Sequence, residues 1–214
     1  MQGAIEPGDV TRIILLTGQA EAPHLSAILR LHNANLDIAP VTTAADLHAA
    51  CSGITDGTRL LSFCSPVIVP AALLQAMPGP SYNFHPGPPE RPGRYPSVFA
   101  LYEEAEHFGV TVHEMAARVD SGPIVAAEWF RIPQDADLAE LEELTFLQLI
   151  AIFQRLSFHL ATTRVPLRRQ MMAWKGRKTT KAECEALCAV TLDMDPAEAD
   201  KRRRACGIHI LKRV

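Results

Sequence analysis

Short apolar runs alternate with segments of helical period through the first 85 residues, and this alternation limits the fold more than any other feature. The run RIILLTG at 12–18 is apolar throughout and closed by a glycine, which is typical of a strand buried on both faces. The segment at 24–34 then places leucine and isoleucine at helical spacing. Strands that alternate with helices in this way predict βαβ units, and hence a parallel sheet covered by helices.

The same alternation continues along the chain, with a proline that opens one helix and a long apolar helix near its end. Further strands are predicted at 37–43, 59–63, 80–85, 109–116 and 122–133, and further helices at 44–51, 69–77, 97–108 and 137–161. The predicted fold class is therefore α/β, a doubly wound, Rossmann-like, mostly parallel sheet with helices on both faces. Such sheets bind ligands outside the carboxyl ends of their strands.

The character of the sequence changes beyond Thr162, where a basic, weakly periodic stretch is followed by a short helix candidate and the basic ending KRRRACGIHILKRV. We predict a catalytic domain over residues 1–165 and a short, partly helical C-terminal extension over 166–214. The basic ending is typical of a solvated face, although arginine also suits the phosphate of a nucleotide-linked ligand.

Composition narrows the class of protein. The chain has 214 residues, a net charge of −3 and 48% hydrophobic residues, which predicts a globular domain with no general attraction to nucleic acid or anionic membrane. No apolar run approaches the roughly 20 residues of a membrane span, and the N-terminus lacks the pattern of a signal peptide. Five scattered cysteines favour reduced thiols over a disulfide framework. We expect a cytoplasmic protein with no nucleic-acid or membrane partner.

The stretch SYNFHPGPPERPG at 81–93 ends a predicted strand on two polar residues. Side chains alternate between the faces of a strand, so Asn83 and His85 point the same way while Phe84 points into the opposite layer. The prolines that follow fix the backbone, and Gly87 permits close approach to a ligand. The alternative reading is a turn-forming asparagine and a surface histidine at an ordinary strand end.

A second polar group follows the next strand, in the stretch GVTVHEMAARVDSG that delivers Asp120 in a turn before Gly122. Together with Asn83 and His85, it would supply an amide for an oxyanion, an imidazole for proton transfer and a carboxylate as base or orienting group. These are the groups for acyl transfer without an enzyme nucleophile. His113 is predicted with equal weight as a neighbour of the site or as a supporting core histidine.

These residues resemble the folate-dependent formyltransferases, which include the glycinamide ribonucleotide, methionyl-tRNA and sugar-nucleotide N-formyltransferases. The family pattern runs from N-x-H-P through a proline- and glycine-rich loop to G-x-T-x-H and D-x-G. It is matched over about 50 residues by Asn83, His85, Pro86, Gly93, Tyr95, Pro96, Gly109, Thr111, His113, Asp120 and Gly122. Gly87 stands where many members carry serine, and the loop wording differs, which leaves the identity of the acceptor open.

The resemblance implies 10-formyltetrahydrofolate as co-substrate, a small-molecule amine as acceptor, and Asn83, His85 and Asp120 as catalytic residues. It requires no metal and allows a homodimer. The family's pterin lies against the backbone of two segments, which correspond here to Phe63, Cys64, Ser65 and Pro66, and to Ala116, Ala117, Arg118 and Val119. A zinc site built from Cys184, Cys188, Cys206 and His209 is the less favoured alternative, since C-x₃-C is not the usual spacing.

Features that the chain lacks help to choose among the family's acceptors. The 49 residues after 165 are too few and too helical for the C-terminal barrel of the tRNA-directed members. The stretch after the first strand has one glycine, which disfavours the phosphate loop of the purine-pathway members. Deformylases begin with a regulatory domain, whereas this chain starts on its first strand. An amino-sugar nucleotide is the leading acceptor, with water as runner-up and a catalytically idle folate- or partner-binding relative as the third hypothesis.

Overall fold

A six-stranded sheet in the order β2-β1-β3-β4-β5-β6 organises the chain. The computed structural model describes residues 9–210 and 212–213, and their side chains up to residue 207. The strands of this sheet are β1 Arg12–Leu16, β2 Asp37–Val41, β3 Thr58–Phe63, β4 Tyr82–His85, β5 His107–Glu114 and β6 Ile124–Arg131. Parallel pairs join β1 to β2, β1 to β3 and β3 to β4. The predicted Rossmann-like, mostly parallel α/β fold is confirmed.

Helices connect most of the strands, and two more lie near the C-terminal end. They are α1 Glu21–Arg30, α2 Ala44–Cys51, α3 Ala71–Ala76, α4 Pro96–Tyr102, α5 Leu138–Thr162, α6 Lys181–Leu187 and α7 Pro196–Ile210, and a two-stranded parallel pair is formed by β7 Ala189–Val190 and β8 Lys212–Arg213. The backbone of α7 breaks at Gly207, whose φ of 59° and ψ of 172° are not helical.

The order of the strands places a topological switch between β1 and β3, because β2 lies on one side of β1 and β3 on the other. The hydroxyl of the buried Thr17 spans this position by donating to the carbonyl of Phe63 at 3.0 Å. Ligands of open α/β sheets bind in the crevice at such a switch. The end of β3 is therefore the first place to look for a site.

The chain divides into two compact units. The first comprises Met1–His85, Val112–Ala126 and Ile150–Met172, and the second comprises Pro86–Thr111, Ala127–Leu149 and Ala173–Val214. A cluster around Ile14 and Leu60 forms part of the core of the first unit, and a cluster around Val98 and Phe108 forms part of the core of the second. The boundary near residue 165 stays a prediction.

Helix α5 is the one described helix that is long and apolar enough, by length and composition, to cross a membrane. It corresponds to the helix predicted at 137–161, and polar residues such as Gln148 and Arg155 interrupt its apolar sequence. The helix nevertheless fully buries Leu149, Ile152 and Phe153 within the protein. Burial of large apolar side chains along one stripe is what the core helix of a globular protein shows.

Candidate active site

Strand β4 carries the first two predicted catalytic residues. Asn83 is the register partner of Ser62 on β3, which places its amide beside the end of that strand. Between Asn83 and His85, the ring of Phe84 is fully buried and lies 5.7 Å from Phe63 and 5.1 Å from Phe153, measured between ring centres. Because Phe84 packs in this aromatic cluster on one face of β4, the side chains of Asn83 and His85 point to the other face.

Strand β5 brings His113 to the same face. Its Nε2 lies 3.1 Å from Nδ2 of Asn83, and its Nδ1 lies 2.8 Å from the carbonyl oxygen of Glu114. A carbonyl oxygen can only accept, so Nδ1 carries a proton and donates it; in the neutral imidazole, Nε2 then accepts from the amide of Asn83. His113 is 2% exposed, so this geometry is fixed within the protein. Of the two roles considered for His113, the structure shows the neighbour of the site.

Asp120 completes the cluster from the turn after β5. One oxygen, Oδ2, lies 3.8 Å from Nδ1 of His85, and the other, Oδ1, lies 3.4 Å from Nε2 of His113. The residue is 6% exposed, and its φ of 45° falls in the left-handed region. Backbone strain of this kind in a non-glycine residue concentrates at functional sites, where the surrounding structure maintains it.

Gly122 explains how the turn reaches β5. A Cβ added at this position would overlap the carbonyl oxygen of Glu114, the oxygen that accepts from His113. The backbone also pairs here, since the amide of Glu114 donates to the carbonyl of Pro123 at 2.9 Å. The glycine of the D-x-G motif is therefore required by the close approach of two backbone segments.

A pocket of about 80 Å³ opens beside this cluster. It is lined by Asn83, His113 and Asp120, by Ser62 and Ser65 from the end of β3, and by Ala116, Ala117, Arg118 and Val119 after β5. Pockets that enclose a drug-sized ligand run from about 300 Å³ upward. The volume here therefore suits one ring of a ligand, with the remainder outside.

The two segments predicted to hold the pterin are thus brought together at one pocket, with different contributions. Phe63 does not line it, because its side chain is buried in the aromatic cluster and its carbonyl accepts from Thr17. Cys64 and Pro66 do not line it either. Cys64 has a φ of 50°, and its amide donates to the carbonyl of Phe84 at 3.3 Å. The cofactor-binding assignments stay predictions.

Sequence reasoning missed the apolar wall of the pocket. Val67, Ile68, Val69, Leu74 and Met115 supply it. These residues stand in a loop, in a short helix and just after a strand, so no single periodic pattern links them. An apolar wall beside convergent polar groups is the usual composition of a small-molecule site.

An ion pair supports the end of β5. Both carboxylate oxygens of the buried Glu114 accept from Arg169, at 2.9 and 2.8 Å. These hydrogen bonds raise the pKa of the Arg169 guanidinium above its usual value. The main-chain carbonyl of Glu114 accepts from His113, and the Glu114 carboxylate accepts from Arg169. Both the backbone and the side chain of residue 114 are therefore held in place. No sequence pattern predicts this ion pair, because its two residues are 55 positions apart in the chain.

A larger cavity, of about 630 Å³, lies in the second unit between α4, the end of β6 and α7. Its charged lining comes from Glu104, Glu106, Arg131 and Arg204, and none of the predicted site residues borders it. Volume alone therefore does not identify the site. The smaller pocket is the better candidate because proton-transfer groups converge there.

The cysteines near the C-terminus do not match the expectation of reduced thiols. Cys188 and Cys206 are joined in a disulfide, which corrects that expectation. Sγ of Cys184 lies 4.0 Å from Sγ of Cys188, and burial raises the pKa of the Cys184 thiol to about 11. Zinc binds thiolates, and a protonated thiol beside a disulfide offers none. The side chain of His209, the fourth member of the alternative zinc set, lies outside the described residues.

Known proteins resemble this chain in sequence and in fold. Residues 60–148 match the family model of the formyl transferases. The dTDP-4-amino-4,6-dideoxyglucose formyltransferase of Mycobacterium tuberculosis is 30% identical over 123 residues, and the match covers 53% of this chain and 51% of that protein. The chain therefore spans about half the length of the curated relatives that it matches.

Solved structures share the fold over nearly the whole chain. A sugar N-formyltransferase from Shewanella superposes with a TM-score of 0.71 at 17% identity, covering 92% of this chain and 88% of that one. An N-formyltransferase from Helicobacter canadensis, solved with folinic acid and dTDP-3-aminofucose, gives a TM-score of 0.67 at 12% identity, covering 92% and 80%. The predicted resemblance to the formyltransferases, which rests on the motifs at residues 83–122, is thereby confirmed.

Proposed function

We propose that the protein transfers the formyl group of 10-formyltetrahydrofolate to the primary amine of a small molecule, with an amino-sugar nucleotide as the leading acceptor. One observation carries the proposal. Asn83, His113 and Asp120 border a pocket that also contains residues from both predicted folate segments, and His85 lies within ion-pair distance of Asp120. Amide, imidazole and carboxylate groups thus converge beside a cavity suited to a flat ring.

The residues fit the co-substrate in two respects. Small side chains at Ala116 and Ala117, in a segment outside the regular strands, leave backbone groups accessible at the rim of the pocket. Another part of the lining is apolar, through residues such as Val69 and Leu74. A flat heteroaromatic ring with polar edges matches a pocket of apolar walls and accessible main chain.

In the proposed reaction, the amine nitrogen of the acceptor attacks the formyl carbon, and the bond from that carbon to N10 of the folate breaks. Asn83 has a second amide N–H besides the one donated to His113, and we assign it to the oxygen that becomes negative during attack. His85 assists at the same oxygen. Asp120 accepts the proton that the amine loses and passes it to N10 as the bond from the formyl carbon to N10 breaks.

The identity of the acceptor is inferred from the names of the relatives rather than from the shape of the pocket. The mycobacterial relatives are named for a dTDP-amino-sugar, and the Helicobacter neighbour was solved with another. The proposal also includes that this chain binds a nucleotide-linked sugar, that it is cytoplasmic and that it forms a homodimer.

Release of tetrahydrofolate from the formylated donor, measured with a panel of amines that includes dTDP-4-amino-4,6-dideoxyglucose, tests the proposal. We expect release that depends on one class of amine and that falls by about 10²-fold or more in Asn83→Ala and His85→Ala. Release of formate without any amine would instead identify a deformylase. Binding of the donor without release under any condition would leave only the idle relative.

A further inference from the structure

A short segment beyond helix α5 is bonded to the ends of neighbouring strands. This segment, residues 167–170, is here called the clamp. The amide of Leu167 donates to the hydroxyl of the buried Tyr82, the first residue of β4, at 2.8 Å. The main-chain amide of Gln170 donates to the carbonyl of Ile124, the first residue of β6, at 2.7 Å. The sheet therefore holds the clamp at both of its ends.

Arg169 makes the central contact of the clamp. Its Nε and Nη2 donate to the two carboxylate oxygens of Glu114, at 2.9 and 2.8 Å. The Arg169 side chain is exposed, whereas the Glu114 side chain is only 9% exposed. Exposed ion pairs contribute little to stability, but removal of the partner of a buried carboxylate leaves its charge uncompensated. Without Arg169, the Glu114 side chain must therefore move toward water or admit water around it.

The backbone of Glu114 is part of a tight set of hydrogen bonds at the end of β5. Its carbonyl accepts from Nδ1 of His113 at 2.8 Å. Its amide donates to the carbonyl of Pro123 at 2.9 Å, and the amide of Met115 donates to the carbonyl of Ser81 at 2.7 Å. These bonds depend on the orientation of two successive peptide groups. A displacement of Glu114 therefore moves the carbonyl oxygen that His113 binds.

A chain of contacts leads from this carbonyl to the site. His113 binds the oxygen through Nδ1, and its Nε2 lies 3.1 Å from Nδ2 of Asn83. Side chains alternate along β5, so Glu114 points away from the face that carries His113. Arg169 itself does not line the pocket beside these residues. An effect of Arg169 on Asn83 therefore passes through Glu114 and His113 rather than through a ligand.

We propose that Arg169 is a positioning residue for formyl transfer. By binding the Glu114 carboxylate, it holds the main-chain carbonyl that orients His113. The oriented imidazole in turn leaves the second N–H of Asn83 for the formyl oxygen. The inference rests on the proposed function, in which Asn83 stabilises this oxygen. It predicts that loss of the two hydrogen bonds from Arg169 slows transfer and leaves the binding of donor and acceptor unchanged.

The test compares variants at both ends of the ion pair. Arg169→Met removes both hydrogen bonds and keeps an apolar stem, whereas Arg169→Lys keeps the charge but cannot bind both oxygens in the same way. Glu114→Gln, alone and combined with Arg169→Met, completes a double-mutant cycle. Arg168→Met is the matched control, because Arg168 is an exposed neighbouring arginine that binds no carboxylate among the residues that the structure describes.

Two kinds of measurement are made on each variant. Steady-state kinetics give kcat and the KM values of donor and acceptor. Heteronuclear NMR of the histidine ring nitrogens reports the hydrogen bonding of His113 without requiring turnover, and comparison with His113→Phe assigns its signals. Melting temperatures record any general loss of stability.

We expect kcat to fall by about threefold to tenfold in Arg169→Met, the scale of one misplaced hydrogen-bond donor, with both KM values within about twofold. Arg169→Lys should be intermediate, and Arg168→Met should match the wild type. The double variant should regain most of the lost kcat, because glutamine leaves no buried charge at position 114. The ring signals of His113 should shift in Arg169→Met and return toward their wild-type positions in the double variant.

A merely structural role would lower the melting temperature of Arg169→Met and leave its kcat and the ring signals of His113 as in the wild type. That result would overturn the inference and leave the proposed function intact. Absence of transfer by the wild-type protein with every amine tested would overturn the proposed function. The ring signals would then decide separately whether Arg169 holds His113, since a shift in Arg169→Met would support that contact and unchanged signals would refute it.

Discussion

Nδ2 of Asn83 lies 3.1 Å from Nε2 of His113, and the same imidazole donates from Nδ1 to the carbonyl of Glu114 at 2.8 Å. In the neutral imidazole, this chain of hydrogen bonds sets the tautomer of His113 and, through it, the orientation of the amide. An asparagine side chain could otherwise rotate to present either its oxygen or its nitrogen. In the proposed reaction, the contact of His113 with the backbone of β5 therefore leaves the second N–H of Asn83 for the formyl oxygen.

Replacement of His113 should lower kcat without weakening substrate binding. His113→Phe keeps a ring but removes the acceptor for Asn83, so we expect a roughly tenfold fall in kcat, the effect of one misoriented donor. His113→Gln, which retains a carbonyl acceptor, should recover part of this loss. Steady-state kinetics with saturating donor checks both variants. A His113→Phe protein with wild-type kcat would show that Asn83 needs no orienting partner.

Asp120→Asn should separate proton transfer from folding. Asparagine adopts the left-handed region more readily than most residues, so it can occupy the φ of 45° that Asp120 requires. We expect donor binding and melting temperature close to those of the wild type, with turnover lowered by about 10²-fold or more. Asp120→Ala is the contrasting variant, because it removes the carboxylate and also suits this backbone less well. Full turnover in Asp120→Asn would remove Asp120 from the reaction.

Gly122→Ala should disrupt the site through the backbone. The added methyl overlaps the carbonyl of Glu114, so either the turn or β5 must move, at a cost of about 1–3 kcal/mol for overpacking. His113 loses the partner of its Nδ1–H, and we expect turnover to fall together with stability. Gly79→Ala, on an open surface, should leave both close to wild type. Thermal unfolding and turnover of the two variants provide the comparison.

Helix bounds and the orientation of site residues could be predicted where the sequence pattern and the structure that it predicts lie in the same segment. The helix predicted at 44–51 has those bounds because the hydroxyl of Thr43 caps it by accepting from Asp46. Asn83 and His85 share a face because strand alternation is a property of the backbone. The order of the motifs then predicted the resemblance to the formyltransferases, since the chemistry at each position constrains the residue type.

The remainder depended on long-range contacts that leave no local pattern. The helix predicted at 97–108 ends at Tyr102, because Glu104 turns left-handed with a φ of 55° and β5 begins at His107. Nothing near residue 93 indicates that Thr179 will pair there. The pairing of Gly93 with Thr179 and the ion pair between Arg169 and Glu114 could be found only from the folded chain.

The disulfide between Cys188 and Cys206 should contribute measurably to stability. It closes a loop across a sequence separation of 18, which corresponds to about 3 kcal/mol of chain entropy in the unfolded state. Cys188 and Cys206 are fully buried in the apolar cluster of the second unit. Removal of the disulfide should therefore also disturb the packing of this cluster. We expect a reductant to lower the melting temperature of the wild-type protein and of Cys184→Ala, which keeps the disulfide. The double variant Cys188→Ala/Cys206→Ala should begin at a lower melting temperature and show no response to reductant. A wild-type melting temperature that is the same with and without reductant would mean that the bond adds nothing to the stability of the fold.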